Sequence, residues 1–461
     1  MAVFLCAAAA VVSGCGLRGP KAAKVDPLEI WGVWDDSDVM NDFINDYKAK
    51  NDQITEIKYR KLTYDEYESE LVRAFAAGKG PDIFIAHHTW TAKHSDLMVS
   101  LEEAQSAYNT AVSEKGGCSK PPVLKEPLLT KLQYSQAFVD VAYNDFVKED
   151  KIYGVPLAVD TLALYYNKDL FAAAGIAEPP KTWDEFQADA RLLTIKDQFN
   201  NITQAGAAIG TAANVNRPGD ILAMMMMQLG CPMVNTASYT SEINARRQLE
   251  NSREFMVPAV EAMRYYTSFA DGRSPNYTWN LQMHNSIDLF QEGKAAMMIN
   301  YTYAVDTIRM KAPKLNFAVA EIPQLPNVVQ QGKMSYANYW GYVVSRESLE
   351  KKNKPIEAWK FLRYLGEKEQ VLRYVQATRR PASRKDVIKE QQGDPDLGIF
   401  ATQALMAKSW FQSDERKVDE LLNSSIDSVI LEGKTPEAAV DNINTKLNVL
   451  LKEYKDKMGI L

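Results

Sequence analysis

Apolar and polar positions along the chain alternate between two periods. Residues 28–34 (LEIWGVW) alternate as a buried strand does, and the pattern over 39–50 then changes to the helical spacing, with Ser37 or Asp38 placed to cap it. The same exchange recurs. Residues 54–62 predict a second strand, 64–78 a helix ended by Gly78, and 83–90 a strand that runs into a loop. The longest apolar and aromatic run is 155–166, opened by Gly154 and Pro156 and closed by Asn167. Its pattern predicts a strand buried on both faces, followed by a helix from about Leu170. One acid, Asp160, interrupts it. Burying a lone carboxylate is costly unless it has a partner or faces a cleft, so this strand is expected where the chain crosses between two lobes.

Further along, Thr182 and Glu185 form a capping box at the start of a helix. Residues 205–213 (AGAAIGTAA) predict a small-residue strand, and the Met224–Met227 run covers all sides of a helix, which reads as core rather than as an adaptable methionine surface. Helices are also expected over 128–146, 256–269 and 355–366 and from Trp410 to the end. The segment 102–147 is longer than a simple connection and its role is not legible.

The carboxyl ends of strands are where open α/β sheets hold ligands, which makes Trp34, Asp35 and Asp36 pocket candidates beside the reading of a solvated acidic cap. Asn338 and Trp340 lie at a loop-to-strand junction, where an indole can stack on a flat ligand or serve as core. Three of the four histidines, His87, His88 and His94, fall within eight residues. Adjacent histidines on an extended segment point to opposite sides, and no HExxH spacing is present, so a hydrogen-bonding pocket group is expected rather than a metal site.

At 461 residues the chain exceeds one simple core, and 46% hydrophobic with 24% charged residues is ordinary globular composition. A net charge of −6 excludes nucleic acid as a main partner. The apolar run 3–12 is too short to span a bilayer and reads as a signal-peptide core, although no Lys or Arg precedes it. Val12-Ser13-Gly14-Cys15 follows and resembles the bacterial lipobox, which makes Cys15 the expected lipidated first residue of the mature chain and 16–26 a tether. Cys118 and Cys231 could pair in an oxidising compartment or remain free thiols.

Three stretches, in order, carry a family resemblance: GKGPDIF at 78–84, GVPLAVDTLALYYNKDLFAAAGIAEPPKTWDEF at 154–186 and LFQEGKAAMMINYTYAV at 289–305. They resemble the family 1 extracellular solute-binding proteins, the sugar receptors of ABC importers, and LEGKTPEAAVDNINTKLN at 431–448 is similar to that family's closing helix. The resemblance implies an α/β fold of two lobes joined by three crossings, with a solute bound in the cleft between them. It places His88, Thr89 and Trp90 on a cleft loop of the first lobe and Asn214 on one of the second. It places Asp160 where the family carries a hydroxyl-binding carboxylate on its crossover strand. Asn300, Tyr301 and Tyr303 fall on the return crossing, where the family's glycine and tryptophan are replaced by the two tyrosines.

The expected organisation is a signal peptide with lipobox over 1–15, a tether over 16–26, a first lobe over 27–157 and 299–345, and a second lobe over 158–298 and 346–461. The expected function is the lipid-anchored, extracytoplasmic, monomeric binding component of an ABC importer, delivering a mono- or oligosaccharide to the permease. No cofactor and no metal are expected. Aromatic side chains would stack on sugar rings, and Asp35, His88, Asp160, Asn214 and Asn300 would take hydroxyls. No GxSxG, Walker or GxGxxG motif is present. A glycoside hydrolase using Asp35 and Asp160, and a metal-binding or structural surface lipoprotein, are the alternatives.

Overall fold

The computed structural model describes residues 27–460, apart from 52–53, 55, 115–123, 125–126, 249–252, 326–331 and 353. The signal peptide, Cys15, the tether and Cys118, and with it the possible disulfide, lie outside the described residues. Cys231 is buried and forms no disulfide among the described residues.

Two hydrophobic cores divide the molecule. The first surrounds a five-stranded sheet in the order Ile57–Lys61, Leu28–Gly32, Ile83–His87, Trp340–Val344, Gly154–Pro156. Its first three strands are parallel, and Trp340–Val344 runs antiparallel to both of its neighbours. The second core surrounds an antiparallel sheet with Ala163–Asn167 between Met297–Asn300 and Phe317–Ala320. The small-residue stretch bridges to this sheet through Ala205 with Ala295 and Ala208 with Met298.

The run 155–166 is not one strand. It is three short ones, in three different sheets: Gly154–Pro156 in the first lobe, Asp160–Thr161 at the crossing and Ala163–Asn167 in the second lobe. A uniformly apolar run cannot show this, because both cores take the same residue types and only the pairing partners change.

The crossing strands lie side by side. Asp160–Thr161 pairs antiparallel with Ser335–Asn338, which pairs in parallel with Ala407–Lys408. This three-stranded sheet is the hinge, and it carries the three expected crossings.

The lobe boundaries differ from the expected ones. Met297–Asn300 and Phe317–Ala320 both pair with Ala163–Asn167, so Tyr301, Ala304, Val305 and Ile308 belong to the second core, and the return comes at Tyr336 and Ala337. The segment 346–391 returns to the first core rather than the second. Its helix Pro355–Leu365 buries Trp359, Phe361 and Leu362 in the core that holds Leu28, while the chain from Trp410 onward packs in the second. The 128–146 tract is two short helices, Lys131–Ala137 and Asp140–Phe146, broken at Phe138 and Val139. The capping box at Thr182 and Glu185 is present, and Met224, Met225 and Met226 are core.

Candidate ligand-binding cleft

A cavity of about 360 Å³ lies between the lobes against the hinge. First-lobe side chains Trp34 and Trp340 and second-lobe side chains Tyr301 and Tyr303 face it. Trp34 ends the first strand's turn and is 40% exposed. Its ring meets Trp340 edge-on at 6.0 Å and Tyr64 at 5.4 Å. Trp340 is backed in turn by His87 at 5.4 Å and Trp90 at 5.3 Å. Rings locked from behind with open faces in front form a pre-organised stacking surface.

Asp160 faces the cavity from the hinge. Its carboxylate accepts the backbone N–H of Thr161 at 2.8 Å and both the N–H and the hydroxyl of Thr302. Burial pushes its pKa up to about 6, against the hydrogen bonds from Thr302 and Thr161 that pull it down. No basic side chain is in contact with it among the described residues, so its remaining lone pairs are open to a donor from the cavity.

Two arginines reach the cavity. Arg380 is committed: it donates to Asp35 at 2.9 Å, to Tyr374 at 2.6 Å and to the Trp34 carbonyl at 3.2 Å. Arg217 is held with φ +55°, a conformation disfavoured for residues with a Cβ, immediately before the Pro218–Gln228 helix. Its guanidinium sits 5.8 Å from the Tyr301 ring centre, and Asp220 and Asp419 raise its pKa against the effect of burial. Arg217 lines both this cavity and a smaller, more polar one of about 110 Å³ beside it.

The sequence model of the bacterial extracellular solute-binding proteins matches residues 42–400. The chain belongs to this family. A galactooligosaccharide-binding protein of Bacillus subtilis is 24% identical over 454 residues, covering 95% of this chain and 94% of that one. A maltodextrin-binding protein of the same organism is 27% identical over 50% of this chain and 49% of its own length. Among solved structures, the sugar-binding protein of Xanthomonas citri superposes with a TM-score of 0.73 at 16% identity, covering 95% of this chain and all of that one. At that identity the likeness is one of fold: the two-lobed arrangement of maltose-binding-protein-like receptors.

In this solute-binding protein, Trp34, Asp35, Asp160, Tyr301, Tyr303, Asn338 and Trp340 come together at the main cavity. Asp35 is already filled there, accepting from Tyr342 at 2.5 Å, Tyr374 at 2.6 Å and Arg380 at 2.9 Å. It is a buried anchor of the wall, and that occupancy also weighs against a second catalytic carboxylate opposite Asp160. Tyr301 donates to Asp220 at 2.8 Å. Asn338 accepts from His87 at 3.3 Å and turns its amide toward Asp220.

The other expected site residues lie elsewhere. Asp36 is exposed and paired with Lys61 at 2.6 Å. Thr89 is buried, with its hydroxyl on His87 Nδ1 at 2.8 Å. Trp90 is only 1% exposed, stacks on Tyr67 and donates to Glu415 at 2.9 Å, so it is core. Asn214 is a loop staple, donating to the Asn280 and Met283 carbonyls and accepting from Thr211 and Trp279. Asn300 is fully buried behind Tyr301, whose N–H it accepts. His88 stacks on Tyr339 and donates Nδ1–H to that residue's carbonyl at 3.3 Å, facing the smaller cavity rather than the main one. His94 binds Glu68 at 2.7 Å, and among the described residues no group of three or more His, Cys, Asp or Glu is placed to hold a metal ion.

Sequence reasoning missed Tyr64, Tyr374, Glu415 and Asp419. Tyr64 follows a strand end and could have been found by the rule that pointed to Trp34. The other three come from distant C-terminal helices, Tyr374 by packing in the first core and Glu415 and Asp419 from the second-lobe helix Glu415–Ile430.

Proposed function

We propose that this chain is the carbohydrate-capturing component of an ABC importer. The observation that carries the reading is the inter-lobe cavity, in which open aromatic faces from both lobes stand beside a hinge carboxylate with free acceptor capacity. A sugar ring offers an apolar face to such rings and hydroxyls to such acceptors, and few other small solutes offer both. The names of the Bacillus relatives, which bind galactooligosaccharides and maltodextrins, support the same class. Because both lobes contribute, ligand contacts favour the closed arrangement by differential affinity, and the permease reads that form.

The family is extracytoplasmic, and among the described residues no helix is long and apolar enough to cross a membrane. Lipid on Cys15 would keep the monomeric receptor beside its transporter. The family is one of binding proteins, and we assign no catalytic step to the cleft.

The test is a thermal-shift screen of the chain from residue 16 against sugars, polyols, peptides and metal ions. A ligand at about a hundred times its Kd adds about 2.7 kcal/mol and raises the melting temperature. A shift with one sugar class, accompanied by compaction in small-angle scattering, is the expected result. A shift confined to peptides or metal ions would overturn the reading.

A further inference from the structure

The smaller cavity shares Trp34, Arg217, Asn338 and Trp340 with the main one, so the two adjoin within the cleft. Its other wall differs in chemistry. His88, Asp220, Glu415 and Asp419 line it, and all four present acceptors. His88 Nδ1–H is spent on the Tyr339 carbonyl, which leaves Nε2 as a lone-pair acceptor. That atom is buried and has no hydrogen-bond partner, in a side chain only 3% exposed. Glu415 Oε2 is also buried without a hydrogen bond, its contact being Lys93 at 3.7 Å. Buried acceptors left without donors are costly, and here two of them belong to residues that line one small space.

Charge points the same way. Glu68, Asp220, Asp414, Glu415 and Asp419 stand in and behind this wall, against Lys93, Arg217 and Arg416. Lys93 and Arg416 are already engaged by Glu68, and Lys93 by Asp414 as well. Arg217 remains as the cation facing Asp220 and Asp419.

We propose that the ligand end entering this annex carries a protonated amine, making the solute an amino sugar or an oligosaccharide that contains one. A hydroxyl would bring an acceptor of its own toward carboxylates, whereas an ammonium brings three donors, no acceptor and the missing charge. At about 110 Å³ the annex takes one substituent, while the main cavity holds the ring. The proposal rests on the sugar-binding reading above and narrows it.

The experiment is calorimetry with matched sets of glucose, galactose and mannose, each as the hydroxy, 2-amino and 2-N-acetyl form, on the wild-type chain and on Asp419→Asn. In at least one set the amino form should bind about tenfold or more tightly than both neutral counterparts. In Asp419→Asn that ratio should collapse toward one, with the melting temperature showing the variant folded. Equal or weaker binding of the amino form in every set, or a ratio unchanged in the variant, overturns the proposal and leaves the sugar-binding reading intact. No response to any sugar, together with none in the wider sugar panel, removes both.

Discussion

Both carboxylate oxygens of Asp160 lie 3.2 Å from the backbone nitrogen of Thr302, so an acid on the first crossing strand sits at the N-terminal end of the second-lobe helix Tyr303–Lys311. Burial still dominates and lifts its pKa from 3.8 to about 6. Between roughly pH 4 and 6 the folded chain therefore holds this proton more tightly than the unfolded chain does. The resulting stability is present at low pH and is lost as pH rises through about 6, by about 3 kcal/mol at most. Asp160→Asn removes that term while keeping an acceptor for the Thr302 hydroxyl. Urea unfolding at pH 4, 5, 6 and 7 should show the variant losing less stability than the wild type over this window. Parallel curves would refute the assignment.

Trp34 and Trp90 are both ring-stacking candidates by their sequence positions, and the structure separates them. Trp34 is 40% exposed on the cavity wall, and Trp90 is 1% exposed between Tyr67 and His94. Trp34→Ala should leave the melting temperature close to wild type and weaken sugar binding by about 2 kcal/mol or more, the scale of an interface hot spot. Trp90→Ala should cost about 3–5 kcal/mol of stability and strand the Glu415 carboxylate that it serves. Calorimetry paired with thermal melts checks both. Loss of stability in the first variant, or its absence in the second, would reverse the assignment.

The contrast shows what was legible. Periodicity locates the strand end at Trp34, because an apolar run followed by polar loop residues marks the carboxyl edge of a sheet, while Asp160 stands out as the lone acid of an apolar run and Trp340 as an indole at a loop-to-strand junction. Which way a side chain turns there was not legible. Asp35 follows Trp34 directly and points back into Tyr342, Tyr374 and Arg380, residues more than 300 positions away. Asn214 reads as a pocket amide until Trp279 and Thr211 are seen to occupy it. The lobe of 346–391 is not legible for a related reason: the apolar face of Pro355–Leu365 fits either core by composition, and the strand Trp340–Val344 just before it decides which one is near.

Gly206 explains why the 205–213 stretch is built of small residues. A Cβ there would lie 1.8 Å from the Ala190 carbonyl oxygen, a backbone atom that cannot turn aside. The same residue's N–H donates to Thr278 at 2.7 Å, so the stretch cannot simply slide outward. Gly206→Ala is expected to destabilise the second lobe by at least the roughly 1–3 kcal/mol typical of overpacking. Gly272→Ala, with open space around its Cβ, serves as the control and should be near neutral. Comparable melting temperatures for the two would contradict the close approach.

Lys93 ties the lobes together beside the smaller cavity, through Glu415 of its lining. Its ammonium lies 2.7 Å from Glu68 in its own lobe, and 3.1 Å from Asp414 and 3.7 Å from Glu415 at the start of the second-lobe helix Glu415–Ile430. Burial pulls its pKa down, but the three carboxylates outweigh this and hold it raised, so the charge persists at neutral pH. Arg416 reinforces the junction by pairing with Glu68 at 3.8 Å and packing over the Tyr64 ring at 5.1 Å. Lys93→Met leaves Glu68, Asp414 and Glu415 facing one another across the junction, which penalises the closed arrangement and leaves the open one untouched. The expected result is a larger radius of gyration without ligand. Affinity should also fall about tenfold or more, because ligand must first restore the closed population. Raising the ionic strength should weaken wild-type closure and change the variant little. An unchanged radius and affinity in Lys93→Met would show that the hinge sheet and the cleft contacts alone set the lobe equilibrium.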